Sequence, residues 1–333
     1  MHKPTRRQFV QGVLAGAAAV PLIPGLGVRD ARAAWPDKPM KIIVGFPAGG
    51  LTDAWARAYG EFIQQKSGQS VVVENKAGAG SAIAAEQVAK SAPDGTTFLF
   101  TISTAWNQNT ILYKKLPYDP AKDFVYVSGF SAGQLPMGVH KDVKATNLKE
   151  FIELGKKGQK LTMGNYSPGS YPQMVAQQLN KLYGLNIESV PYRGEAPMWQ
   201  DVAAGTITAA IGSVQAMLPH VQAGNVRAIG QPTANRSPRL PDTPTFVEQG
   251  FSEPVFAIEG WLGMFAPAGT SPAIAKQLSD WIQEGFKTEK IQKIHENFGI
   301  PQRPWTNVEF EEVQKKVGPQ WVGLAKELGV TLD

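Results

Sequence analysis

The chain has no cysteine among its 333 residues and only four histidines. The first absence excludes disulfides, thiolate nucleophiles, cysteine-based metal sites and the lipid-anchoring cysteine of bacterial lipoproteins. The histidines do not cluster: His2 lies near the start, and His140, His220 and His295 stand apart with no His-x-x-x-His spacing. No metal and no cofactor is expected on that ground. Excess positive charge is also lacking. Lys3, Arg6, Arg7, Arg29 and Arg32 against Asp30 account for most of the formal +5, so the remainder is close to neutral, with no block of like charge. A nucleic-acid binder needs a basic stripe, and none is present. Long hydrophobic runs are missing too. The one apolar stretch, residues 13–28, is broken by Gly16, Pro21, Pro24, Gly25 and Gly27, whereas a spanning helix needs about 20 predominantly apolar residues.

That stretch has a different meaning in its context. Thr5-Arg6-Arg7-Gln8-Phe9-Val10 has the twin-arginine pattern, and Ala31-Arg32-Ala33 is a small-x-small cleavage site. Residues 1–33 therefore read as an export signal, cleaved before Ala34. A soluble periplasmic protein of roughly 300 residues is expected, large enough for two lobes.

Beyond the signal, short β-branched runs alternate with helical patterns. Residues 41–44, 71–74 and 98–100 read as strands, with helices over 54–66 and 82–91 between them. A second series has strands at 161–163, 187–190, 207–211 and 227–229, with helices at 171–183 and 198–204; the tail, 272–327, is mostly helical. Repeated strand–helix–strand units predict parallel α/β sheets. Two such series predict two lobes, 34–135 plus 263–333 and 136–262, with crossings near 130–138 and 258–266. The apolar Trp261-Leu262-Gly263-Met264-Phe265 is expected to pass between them.

The polar turns follow the strands. Phe46-Pro47-Ala48-Gly49-Gly50-Leu51-Thr52-Asp53 joins the first strand to the first helix. Glycines there allow close backbone approach, and the unpaired N–H groups of a helix start suit a carboxylate. Thr52 or Asp53 is placed to cap the helix. Asn75-Lys76-Ala77-Gly78-Ala79-Gly80-Ser81 and Thr101-Ile102-Ser103-Thr104 occupy the next two strand ends, making one concave rim. No Walker lysine is present, and Gly78-x-Gly80 lacks the third glycine of a dinucleotide site. In the second series, the segment from Gly164 through Ser167 to Ser170 and Pro191-Tyr192-Arg193-Gly194 hold equivalent positions. Arg193 is a candidate partner for a carboxylate, and Trp55, Trp106 and Trp199 lie near enough in sequence to stack on a ring, though core packing is the commoner use.

Gly129-Phe130-Ser131-Ala132-Gly133 satisfies Gly-x-Ser-x-Gly, with Asp201 and His220 following in hydrolase order. That motif requires a strand, a strained turn and a helix. Here Gln134-Leu135-Pro136-Met137-Gly138-Val139 follows, which reads as extended chain, so a serine hydrolase is not expected.

Ordered motifs run through the chain: Trp35-Pro36-Asp37-Lys38-Pro39, Phe46-Pro47-Ala48-Gly49-Gly50 with Thr52-Asp53, Val73-Glu74-Asn75-Lys76-Ala77-Gly78-Ala79-Gly80, Ala92-Pro93-Asp94-Gly95 and Leu116-Pro117-Tyr118-Asp119-Pro120. Val190-Pro191-Tyr192-Arg193-Gly194, Leu218-Pro219-His220, Arg236-Ser237-Pro238, Leu240-Pro241-Asp242-Thr243-Pro244 and Phe265-Ala266-Pro267-Ala268-Gly269-Thr270 follow. Together they resemble the Bug family, the substrate-binding receptors of tripartite tricarboxylate transporters. The resemblance implies a type II periplasmic binding protein fold, with two α/β lobes joined by a hinge around a cleft. It implies no catalysis, an organic carboxylate as ligand, and an integral-membrane permease as partner; the mature protein is expected to be a monomer. A receptor acting on a membrane sensor kinase is the alternative. By position, Phe46, Gly49, Gly50, Thr52, Asp53, Gly80 and Ser81 would form the first-lobe cradle, with Ser103, Ser167, Ser170, Tyr192, Arg193 and Ser213 completing the site. Many relatives carry Asp-x-x-x-Asp-Asn where this chain has Thr208, Gly212 and Ser213. The missing carboxylate implies a non-amino ligand, a plain dicarboxylate or an aromatic acid.

Overall fold

Met40-Lys41-Ile42-Ile43-Val44 buries every residue but Lys41, the pattern of a strand covered on both faces. It is β1 (Met40–Val44) of the computed structural model, which describes residues 35–332. The export signal and its cleavage site lie outside the described residues. After β1 come α1 (Leu51–Ser67), β2 (Val71–Asn75), α2 (Ala82–Ala89), β3 (Thr97–Ile102), α3 (Asn109–Leu112) and β4 (Phe124–Ser131). The second half contributes β5 (Met137–His140), α4 (Leu148–Lys156), β6 (Leu161–Asn165), α5 (Tyr171–Tyr183), β7 (Ile187–Pro191), α6 (Glu195–Ala204), β8 (Ala209–Ile211), α7 (Val214–Gln222) and β9 (Val226–Gly230). Then follow β10 (Trp261–Pro267), α8 (Pro272–Gly285), α9 (Glu289–Phe298) and α10 (Asn307–Glu327).

Two five-stranded sheets result, ordered β2-β1-β3-β10-β4 and β7-β6-β8-β5-β9. They share one plan. In the first, β1 runs parallel to β2 and β3, and β10 is inserted antiparallel between β3 and β4. In the second, β6 runs parallel to β7 and β8, and β5 is inserted antiparallel between β8 and β9. The inserted strand is in each case the first after the chain crosses from the other sheet. Residues 261–265 are therefore a central strand and not a link: all seven residues of β10 are buried, which two covered faces require. The return crossing lies before Trp261, and the outward one between Ser131 and Met137.

Helices cover both faces of each sheet. Trp55, Tyr59 and Ile63 of α1 pack with Leu278 and Ile282 of α8 on one face of the first sheet, while α2 and Phe310 of α10 cover the other. Gly129 and Gly263 sit beneath Phe310, where a Cβ on either would come within 2.4 Å of the ring. A side chain there is excluded. α10 is 21 residues long, opened by a capping box of Thr306 and Glu309. Its later residues Trp321 and Ala325, with Leu328 just beyond its end, join the core of the second sheet. One helix is thus rooted in both cores.

Ser131 closes β4, and the chain continues extended into β5 without a helix. Its hydroxyl accepts the Gly133 N–H at 3.0 Å. Asp201 accepts the Tyr192 hydroxyl at 2.6 Å, and His220 stands in the last turn of α7. At Ser131 the chain does not form the strained strand-to-helix elbow that the hydrolase motif requires.

Candidate ligand cleft

The β1–α1 turn is held from within. The Asp53 carboxylate accepts the Gly49 N–H at 2.9 Å and Arg57 Nε at 3.0 Å on one oxygen, and Asn75 Nδ2 at 2.9 Å on the other. Asn75 Nδ2 also donates to the Phe46 carbonyl at 3.0 Å. Burial pushes the Asp53 carboxyl upward, but Arg57, the Gly49 amide and Asn75 together hold it below the usual range. Its oxygens are thereby committed, so Asp53 shapes the turn and is not free for a guest. Ser81 is similar: its hydroxyl accepts from Thr101 Oγ1 at 2.8 Å. Ala79, Gly80 and Ser81 have φ of 48°, 57° and 74°, a left-handed turn that costs about 1–2 kcal/mol for each non-glycine residue.

Between the sheets lies a cavity of about 170 Å³. Phe46, Gly50 and Thr52 from the β1–α1 turn line it, with Ser103, Thr104 and Gln108 after β3. Tyr166, Arg193 and Glu195 enter from the second sheet, and Trp321 from α10. A neighbouring chamber of about 450 Å³ is lined by Gly80, Ser81, Ser167 and Tyr192. Phe46, Pro47, Tyr166, Arg193 and Gly194 border both. They divide one cleft, because the two sides touch: a Cβ on Gly194 would lie 3.2 Å from Pro47 Cγ.

Of the residues expected at the site, Phe46, Gly50, Thr52, Ser103 and Arg193 line the smaller cavity, and Gly80, Ser81, Ser167 and Tyr192 the larger. Gly49, Asp53, Ser170 and Ser213 line neither. Ser170 is the fully buried N-cap of α5 with an unpartnered hydroxyl, and the Tyr192 hydroxyl is spent on Asp201. Burial, then Asp201, push the Tyr192 phenol up. Trp55, Trp106 and Trp199 belong to the cores.

Two polar side chains of the smaller cavity lack a partner among the described residues for a polar group. Arg193 borders it, largely exposed, with no hydrogen bond or ion pair to any described residue. Gln108 is 1 % exposed, yet its carbonyl oxygen has no partner.

Glu195 was not expected from the sequence. The first residue of α6, it receives three donations from Ser213, the N-cap of α7. The Ser213 N–H reaches its oxygens at 3.2 and 3.1 Å, and the hydroxyl reaches Oε2 at 2.5 Å. A Cβ on Gly212 would stand 3.3 Å from Glu195 Cδ. A carboxylate from α6 thus stands beside Gly212 and Ser213 at the end of β8. Burial pushes the Glu195 carboxyl up, opposed by the Ser213 bonds. Among the described residues no cluster of His, Asp or Glu is arranged for a metal ion.

Residues 55–326 match the Tripartite tricarboxylate transporter family receptor pattern, TctC. The chain belongs to this receptor family. Its relatives include Protein BugT of Bordetella pertussis, 30% identical over 315 residues, covering 92% of this chain and 94% of that one. Among solved receptors, R. palustris Rpa4515 with adipate is 28% identical with a TM-score of 0.83, covering 89% of this chain and 99% of that one. MatC from Rhodopseudomonas palustris with bound malate is 26% identical with a TM-score of 0.79, covering 87% and 100%. The two sheets of this TctC receptor are those of the type II periplasmic binding protein fold. The family and its structural neighbours are solute-binding proteins. No helix among the described residues is long and apolar enough to cross a membrane.

Proposed function

We propose that this receptor captures a small organic carboxylate in the periplasm and delivers it, chemically unchanged, to a tripartite tricarboxylate-type permease. A plain dicarboxylate or an aromatic acid is favoured over an amino acid. The unpaired Arg193 on a cavity that also holds the start of α1 carries this reading, since guanidinium and helix-start amides are complementary to a carboxylate. Adipate and malate in two similar receptors support it, and the twin-arginine segment supports export. The lobes we assign are 34–135 plus 263–333 and 136–262, closing on the ligand within a monomeric protein. Charge-assisted bonds of about 1.5–3 kcal/mol each are sufficient, in a small set, for micromolar affinity.

A melting-shift screen of organic acids followed by titration calorimetry tests the proposal. Tight ligands raise the melting temperature by mass action, and native mass spectrometry should return the bound acid intact. Aspartate or glutamate binding more tightly than every plain dicarboxylate and aromatic acid would refute the non-amino preference.

A further inference from the structure

Glu195 poses a problem for a dicarboxylate. Its carboxyl group borders the cavity and has no cation beside it: it forms no ion pair, and Ser213 is its hydrogen-bond partner. A guest entering with one carboxylate toward Arg193 and the α1 turn brings its second acid into a cavity that already holds this one. A second carboxylate brought close to this one raises the cost of keeping both ionised. Oε2 takes both the Ser213 hydroxyl and a share of its N–H, whereas Oε1 takes only the weaker share, at 3.2 Å. One oxygen of Glu195 is therefore left for the guest.

We propose that Glu195 is the specificity residue for the far end of the ligand. It binds a proton from solvent as the complex forms, and donates it from Oε1 to the second carboxylate of a dicarboxylic acid. The inference rests on the receptor reading above. The alternative, an ionised Glu195 holding a ligand ammonium, fits less well. An ammonium seeks three acceptors; Gln108 Oε1 is one on this cavity, while Ala196, Pro197, Leu135 and Trp321 in the same lining offer chiefly carbon. Burial acts in the same direction, raising the Glu195 carboxyl before any ligand arrives.

Other titratable groups are placed differently. Tyr166 and Tyr171 border the cavity with phenols pushed up by burial. Asp201, on α6 itself, is held by Tyr192. His140 of β5 lies at Gly205, beyond the far end of α6, and His220 at the last turn of α7. Asp53 is closed in its pair with Arg57, and Glu259 precedes the lining Gly260.

The test uses the mature protein with succinate, glutarate and adipate as probes. Calorimetry in buffers of different ionisation enthalpy should show uptake of about one proton per dicarboxylate bound. Between about pH 6.5 and 8.5, where the probes are dianions, Kd should rise up to about tenfold per pH unit. The uptake and the slope should vanish in Glu195→Gln, which keeps a neutral donor and should still bind. The same-length monocarboxylates should bind without proton uptake. Dicarboxylate binding by the native protein with no proton uptake overturns the role of Glu195 alone. Aspartate or glutamate bound more tightly than succinate or glutarate, an advantage lost in Glu195→Gln, overturns it in favour of ammonium capture. No carboxylate bound at all overturns the receptor reading as well.

Discussion

Tyr59 and His295, 236 positions apart, share a buried hydrogen bond of 2.9 Å between phenol and Nε2, while His295 Nδ1 lies 2.8 Å from the Ile300 carbonyl. The imidazole stands edge-on to Trp55 with ring centres 3.9 Å apart. This histidine is a structural pin between α1 and α9.

Burial drives the His295 pKa down to about 4. In the unfolded chain it titrates near about 6.5. Below that value the unfolded state binds a proton that the folded state refuses, so stability is full above it and falls as pH drops toward 4. The loss across that window should be about 3 kcal/mol. Denaturant melts from neutral to acid pH should show it. His295→Gln should lower stability at neutral pH and flatten the acid limb.

Asp53→Asn removes the charge that ties the Gly49 amide, Arg57 and Asn75 together. Stability should fall by about 1–3 kcal/mol. Ligand affinity should fall as well, although Asp53 touches no cavity, because the β1–α1 turn loses its internal brace. Calorimetry beside melting curves separates the two effects.

Arg193→Gln should behave in the opposite way. The side chain makes no ion pair to lose, so the ligand-free melting temperature should hold. Carboxylate affinity should fall by about 1.5–3 kcal/mol, and what remains should depend less on salt. An unchanged Kd would remove Arg193 from the site.

Gly129→Ala places a methyl where the Phe310 ring stands 2.4 Å away. Overpacking of this kind costs about 1–3 kcal/mol. The double variant with Phe310→Leu should recover part of that loss, measured as a non-additive pair.

Much of the fold could be read from residue pattern. Residues 41–44 announce a parallel strand by an apolar run, residues 71–74 an edge strand by β-branched residues of which Val72 stays exposed, and the Gly-rich turns announce where they end. β10 was harder, since an unbroken apolar run does not say whether it joins lobes or lies inside a sheet. The fate of polar side chains was hidden for a physical reason. Asp53 turns inward because Arg57 is one helical turn away and Asn75 ends the adjacent strand, a meeting that only strand register creates. Glu195 was missed because its contact is made by two helix starts 18 residues apart in sequence. The run Pro191-Tyr192-Arg193-Gly194 drew attention to the arginine and away from the acid two positions on. Tyr166 lay inside the post-strand segment 164–170 without being singled out, and Gln108 and Trp321 carried no local signal at all.

The long terminal helix gives the cleft its mechanics. Phe310 is buried against one sheet and Trp321 against the other, so parting the halves in a straight line would drag one ring into water. Pro319, inside the same helix between those anchors, removes a backbone donor and softens the rod at that point. Any widening of the cleft is therefore expected to be a rotation that bends this helix near Pro319, not a straight parting.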